Sequence, residues 1–152
     1  MRFVRREAVA EGAMAFHFAK PRGFMFQAGQ SIRLTLGEGW ENRSFSIASA
    51  PHEPELMIAT RMRESAFKAR LRALQAGDEV TVDGPNGAMV LHPDATRPAL
   101  MLAAGIGITP FLSMLRDARH RRLAHRFMLL YCNRRPETAA FLEELQALEK
   151  VH

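Results

Sequence analysis

The hydrophobic period of this chain changes once, and that change limits the folds open to it. Up to about Leu91 apolar residues recur at every second position: Met14, Phe16 and Phe18; Ile32, Leu34 and Leu36; Phe45 and Ile47; Val80 and Val82. Alternation of this kind predicts antiparallel strands with one buried face. Turn signals separate the runs at Pro21-Arg22-Gly23, Gly37-Glu38-Gly39, Pro51 to Pro54 and Gly84-Pro85-Asn86-Gly87. Many short strands with frequent turns predict a small closed antiparallel β-barrel of Greek-key type over residues 1–94. One helix interrupts it. Ser65 is its N-cap, Phe67, Leu71 and Leu74 fall at helical spacing, and Gly77-Asp78 ends the run.

Beyond His92-Pro93-Asp94 the apolar residues become continuous, in Ala99-Leu100-Met101-Leu102-Ala103 and Phe127-Met128-Leu129-Leu130-Tyr131. Continuous runs predict parallel strands covered on both faces. Between them Thr109 is placed as N-cap, Pro110 as first helical residue, and Phe111, Leu115 and Ala118 as the apolar stripe. Pro136 opens a further helix with Phe141, Leu145 and Leu148 on one face, which two strands can cover only partly. Residues 95–152 therefore read as strand, helix, strand, helix: an α/β parallel-sheet domain, incomplete because two strands make a poor sheet.

Composition limits the setting more than the function. The 152 residues are 47% apolar and 24% charged, with a net charge of +5. That charge permits acidic partners, phosphorylated ligands or anionic surfaces without choosing among them. The single cysteine, Cys132, excludes an internal disulfide and suits a reducing compartment; within its apolar strand it reads as a small buried hydrophobe. The N-terminal MRFVRREAVAEG holds no apolar core of signal-peptide length, and nowhere do eighteen apolar residues follow one another. A cytoplasmic protein with neither membrane nor nucleic-acid partners is the expectation.

The chemistry concentrates in two stretches. Arg43-Ser44-Phe45-Ser46-Ile47-Ala48-Ser49-Ala50-Pro51 sets a guanidinium fork, a flat ring and two hydroxyls on one strand, with Arg43, Phe45 and Ile47 on one side and Ser44, Ser46 and Ala48 on the other. An arginine fork suits phosphate oxygens, a ring offers a stacking surface, and a serine can donate to a ring nitrogen. These are the requirements of a flavin nucleotide; an ordinary half-buried strand is the competing reading. Ala103-Ala104-Gly105-Ile106-Gly107-Ile108-Thr109-Pro110 joins an apolar strand to a helix, where backbone amides gather to hold a phosphate. A plain tight turn is the alternative there.

RSFS, the GPNG turn followed by Met89-Val90-Leu91, and AAGIGITP occur in the order and spacing of the ferredoxin-NADP reductase family, which the chain resembles over nearly its whole length. Ser65-Ala66-Phe67-Lys68 with Gly77-Asp78 resembles that family's helix between the flavin strands. The resemblance implies an FAD-dependent oxidoreductase that moves a hydride from NADH or NADPH to FAD and passes electrons to an acceptor. It implies that Arg43 binds the flavin pyrophosphate. Ser44 shares that flavin-binding strand, and Ser46 is the catalytic hydroxyl beside the nitrogen that takes the hydride. Phe45, where tyrosine is usual, keeps the stack but lacks the phenolic hydrogen bond. Met57, Ile58, Ala59 and Ser65 resemble segments holding the rest of the FAD, although Ser65 also reads as a simple cap. Gly105, Gly107 and Thr109 resemble the nicotinamide-nucleotide loop, with Ala104 replacing a common glycine. Asn133 and Arg134 lie where NADH and NADPH are distinguished; a solvated arginine is the other reading of Arg134.

Two departures complete the picture. Arg116, Arg119, Arg121, Arg122 and Arg126 form a basic cluster, either a solvated helix end or a dock for an acidic electron acceptor. The sequence given ends at His152 without the further strands and the cysteine-glycine-proline segment that the resemblance implies. A fragment, or completion by another chain through self-association, is therefore expected. The alternative function is a flavin-binding electron-transfer or regulatory module lacking its own NAD(P)H activity.

Overall fold

The computed structural model describes residues 1–37 and 41–149; Glu38 and Gly39 of one expected turn, and the last residues to His152, lie outside them. Strands β1 (Phe3–Ala10), β2 (Ala13–Ala19) and β5 (Glu55–Arg61) form one antiparallel sheet in the order β1-β2-β5. Strands β3 (Ser31–Thr35), β4 (Asn42–Ser46) and β6 (Thr81–Asn86) form a second, β4-β3-β6. Helix α1 (Ala66–Ala73) lies between β5 and β6. The remainder is β7 (Ala99–Ala104), α2 (Thr109–Arg121), β8 (Phe127–Cys132) and α3 (Leu142–Glu149), with β7 and β8 parallel.

Phe16 and Phe18 from β2, Ile32 and Leu34 from β3, Leu56 and Ile58 from β5, and Phe67 and Leu71 from α1 bury one another between the two antiparallel sheets. Each is fully sequestered, worth roughly 1.5–3 kcal/mol per side chain. The expected alternation thus sets the register. A continuous ladder around all six strands is not formed among the described residues: the two sheets meet through isolated bridges at Arg2↔Glu79 and Ile47↔Ile58. The reason is local. The chain turns at Pro51 soon after Ile47, so pairing with β5 ends after one bridge. The Gly84-Pro85 pair, expected as a turn, instead lies inside β6, near a register irregularity opposite Ser31–Arg33.

Strands β2 and β5 are buried on both faces where only one was expected. Leu56 and Ile58 join the core between the sheets, while Met57 and Ala59, pointing the other way, pack with Ala15, Met101, Ala103, Ile108 and Leu112. This second cluster fastens the α/β part onto the antiparallel part. Ser113 Oγ donates to Ser49 O at 2.7 Å within it. At its edge Arg116 donates to both carboxylate oxygens of Glu144, at 2.6 and 2.8 Å, and lies 3.4 Å from Glu53. These carboxylates hold the buried guanidinium still more firmly protonated, although burial itself works against that.

Four expectations for the α/β part are corrected. β7 and β8 are covered on one face only: Leu100, Leu102, Met128 and Leu130 are more than half exposed, because α2 and α3 pack on the other side. Cys132, on the same bare face, is exposed rather than buried. Conversely the α3 face expected to be partly open is largely closed, with Leu145 and Leu148 buried. Pro136 opens only a 3-10 turn (Pro136–Thr138); the positive φ of Phe141 breaks the backbone before α3 begins. No helix among the described residues is long and apolar enough to cross a membrane.

Candidate functional site

β4 pairs with β3 so that Arg43 lies opposite Leu34 and Phe45 opposite Ile32. Ile47 is buried, Phe45 half-buried and Arg43 exposed, so this face of the strand runs from core to solvent. Helix α1 stands against it. The Phe45 and Phe67 rings stack at 5.9 Å with 30° between planes, and the Arg43 guanidinium lies 5.6 Å from the Phe67 centroid. The cation thus packs on the ring of the helix, and that ring in turn stacks on Phe45 of the strand. Ser44 and Ser46 occupy the other face, opposite Arg33 and Ser31.

Ser65 caps α1 as expected, its Oγ accepting from Lys68 N at 3.2 Å. Sequence reasoning gave no role to the Lys68 side chain, which reaches into the same cluster. Its ammonium lies 4.7 Å from the Phe45 centroid and donates to Thr60 Oγ1 of β5. Burial, aided by the Arg43 charge, lowers the Lys68 pKa to about 8. Two cations therefore converge on the aromatic pair.

The neighbouring residue on β5 points the opposite way. Arg61 reaches the loop after β7, its Nη2 donating to Thr138 O at 3.5 Å and standing near Gly105. Here Gly105 takes φ 52°, and its carbonyl accepts from the Tyr131 hydroxyl at 3.0 Å. A cavity of about 730 Å³ opens at this point, at the carboxyl ends of β7 and β8. Arg61, Arg63, Gly105, Asn133, Arg134 and Arg135 are among its lining. Crevices at the carboxyl ends of parallel strands are where open α/β sheets bind ligands. Arginines supply the charge to hold phosphate, and the buried Asn133 Oδ1 has no hydrogen-bond partner among the described residues. A donor such as a ribose hydroxyl would satisfy it. Alternation along Arg61-Met62-Arg63 was the available signal for Arg61 and Arg63, but neither was predicted.

The expected site residues thus separate into two groups. Arg43, Phe45 and Ser65 gather with α1, whereas Gly105 and Arg134 line the cavity. Gly107 is exposed beside it, with open space where a Cβ would stand. Met57, Ile58 and Ala59 lie buried in mid-sheet. Met57 N donates to Ser49 Oγ at 2.9 Å and Met57 O accepts from Ala48 N at 2.7 Å, so the protein already engages that backbone. Thr109 is not the N-cap. A 3-10 turn over Gly105–Ile108 runs straight into α2, so Thr109 is already helical and its hydroxyl donates back to Ile106 O at 3.2 Å.

Comparison with known proteins agrees with this arrangement. Residues 101–152 match the oxidoreductase NAD-binding domain. Ferredoxin-NADP reductase B of Sorangium cellulosum is 34% identical over 141 residues, covering 90% of this chain and 58% of that protein. The chain is similar to the ferredoxin-NADP reductase family over most of its length. Another family relative, the phthalate 4,5-dioxygenase reductase subunit of Pseudomonas putida, is 31% identical across 98% of this chain and 47% of its own length. The solved phthalate dioxygenase reductase superposes with a TM-score of 0.82 at 29% identity, over 95% of this chain and 46% of that one. Ferredoxin-NADP+ reductase from Plasmodium falciparum shares the fold at a TM-score of 0.87 and 17% identity. The chain spans about half the length of the family relatives it matches.

Proposed function

We propose that the chain is the flavin-binding part, and a portion of the nucleotide-binding part, of an FAD-dependent NAD(P)H oxidoreductase. Residues 1–94 would carry the FAD, with the two antiparallel sheets acting as one barrel, and residues 95–152 would carry part of the nicotinamide nucleotide. The observation that carries the reading is an exposed arginine fork packed on Phe67, whose ring stacks with the half-buried Phe45 at the capped start of α1. Those residues fit a flavin nucleotide: Arg43 for the pyrophosphate, Ser65 and the helix start for a further phosphate oxygen, Phe45 for stacking. Bound FAD supplies the exchange between two-electron hydride chemistry and one-electron transfer.

In this reading Ser44 belongs to the flavin-binding strand, and Ser46 would donate a hydrogen bond to the flavin nitrogen that accepts hydride. The backbone of Met57, Ile58 and Ala59 would hold the rest of the FAD. Gly105, Gly107 and Thr109 shape the nicotinamide-nucleotide loop, and Arg134 clamps a phosphate at the cavity. Arg116 and Arg121 are occupied by Glu144 and Asp117. This leaves the exposed Arg119, Arg122 and Arg126 as the surface for an acidic electron acceptor. The bare face of β7 and β8 is the surface through which the chain self-associates. A reducing cytoplasm suits the exposed thiol of Cys132.

The cavity favours this reading over a flavin module without NAD(P)H activity. Anaerobic addition of NADH, then NADPH, to the FAD-loaded protein tests it. Bleaching of the oxidised flavin band by either nucleotide is expected; a band unchanged by both would leave the module without nucleotide chemistry.

A further inference from the structure

We propose that Lys68 is a second flavin-nucleotide-binding cation, which leaves the ring of Phe45 to share the ligand's phosphates with Arg43. The inference rests on the flavin reading of the Arg43–Phe45 site and adds to it a side chain that had no assigned role there. Three observations carry it. Lys68 lies on the first turn of α1, and its own amide donates to the Ser65 cap. Its ammonium sits 4.7 Å from the centroid of Phe45, so it covers the ring that a flavin would need to stack on. The other cation at the cluster, Arg43, lies against the adjoining Phe67 ring.

Among the described residues no carboxylate forms a salt bridge with Lys68 or Arg43. The groups facing the Lys68 ammonium are Thr60 Oγ1 from β5, which accepts its hydrogen bond, and the charge of Arg43 from β4, which repels it. Two like charges held together in a half-buried setting are an anion site in waiting. An arriving pyrophosphate would attract both. The Lys68 stem is long enough to swing its ammonium off the ring while the stem stays packed. Ring exposure and phosphate capture are then a single movement.

A proton accompanies that movement. Burial and Arg43 hold the free amine near 8, so above that pH it is increasingly neutral. A dianionic neighbour restores the charged form and draws a proton from solution. Uptake is therefore expected between about pH 8 and the ordinary lysine value of 10.5, and none well below pH 8.

Isothermal titration with FAD, in two buffers of different ionisation enthalpy, reads the proton directly. The parent chain is expected to take up roughly 0.7 proton per FAD at pH 8.5 and essentially none at pH 6.5. Lys68→Met, close in shape, should lose the uptake and bind FAD about tenfold more weakly at pH 6.5. Lys68→Arg should bind at both pH values without uptake, since a guanidinium stays charged. Inorganic pyrophosphate should compete with FAD in the parent. Unaltered affinity or persistent uptake in Lys68→Met, or FAD binding that pyrophosphate leaves untouched, would overturn the assignment while the flavin reading stands. Failure of the parent to bind FAD would instead remove the flavin reading, and this inference with it.

Discussion

The guanidinium of Arg61 stands 3.1 Å from the place a Cβ on Gly105 would occupy, so a residue ending β5 and a residue following β7 close on each other across the two halves of the molecule. Gly105 holds φ 52°, which a side chain disfavours, and its neighbour leaves no room without yielding. Gly105→Ala is therefore expected to destabilise the fold by about 1–3 kcal/mol and to push Arg61 away from the cavity. Urea denaturation measures the first effect. A variant as stable as the parent would show that this backbone relaxes freely.

Lys68 gives a pH-dependent stability whose sign can be worked out. Its folded pKa of about 8 lies below the ordinary 10.5, so the folded state binds fewer protons in that interval. Its stabilising contribution is full above 10.5 and is lost as pH falls through 8. At pH 7 the folded protein therefore carries a charged amine in an unfavourable place. Lys68→Met is expected to raise the melting temperature at pH 7, with the gain shrinking as pH approaches 10. A gain independent of pH would assign the effect to packing alone.

Much of this was legible in the sequence, for physical reasons that differ from place to place. Phe16, Phe18, Ile32 and Leu34 alternate because one side of each strand meets a common core, and a single sequence reports that directly. β1 was missed because Phe3 is its one fully buried residue, and Arg5, Arg6 and Glu7 hide the strand period. The Ser65 cap was readable because capping is local. The Thr109 cap was misread because the 3-10 turn before it depends on how the whole loop folds back on Tyr131 and Arg61. Composition cannot report which side of a continuous apolar strand is covered, so the bare Leu100 and Leu130 were not foreseen. The Lys68 side chain was absent from the predicted site because it reaches Thr60 and Phe45 through tertiary contacts that no spacing encodes.

Arg116 joins α2 to α3 and to the loop at Glu53 through a mostly buried guanidinium. Removing it strands two carboxylates. Arg116→Ala should cost roughly 2–4 kcal/mol in thermal or chemical denaturation, whereas Arg119→Ala, on the exposed side, should change stability by less than about 0.5 kcal/mol. Equal effects would deny Arg116 its tying role.

Leu100, Leu102, Met128 and Leu130 place four large apolar side chains on one open sheet face. Such a face drives association in water. Leu102→Lys with Leu130→Glu is expected to lower the mass seen by light scattering and to leave the melting temperature within a few degrees, because neither side chain is part of a core. Association unaffected by the double change would place the contact elsewhere.

Titration of the protein with FAD, followed by quenching of flavin fluorescence, tests the proposed flavin site most directly. Saturable binding at a one-to-one ratio is expected for the parent chain. Arg43→Ala should weaken it about tenfold or more through loss of a charge-assisted phosphate contact worth roughly 1.5–3 kcal/mol. Flavin fluorescence that the parent chain leaves unquenched, or an Arg43→Ala variant that binds as tightly as the parent, would contradict it.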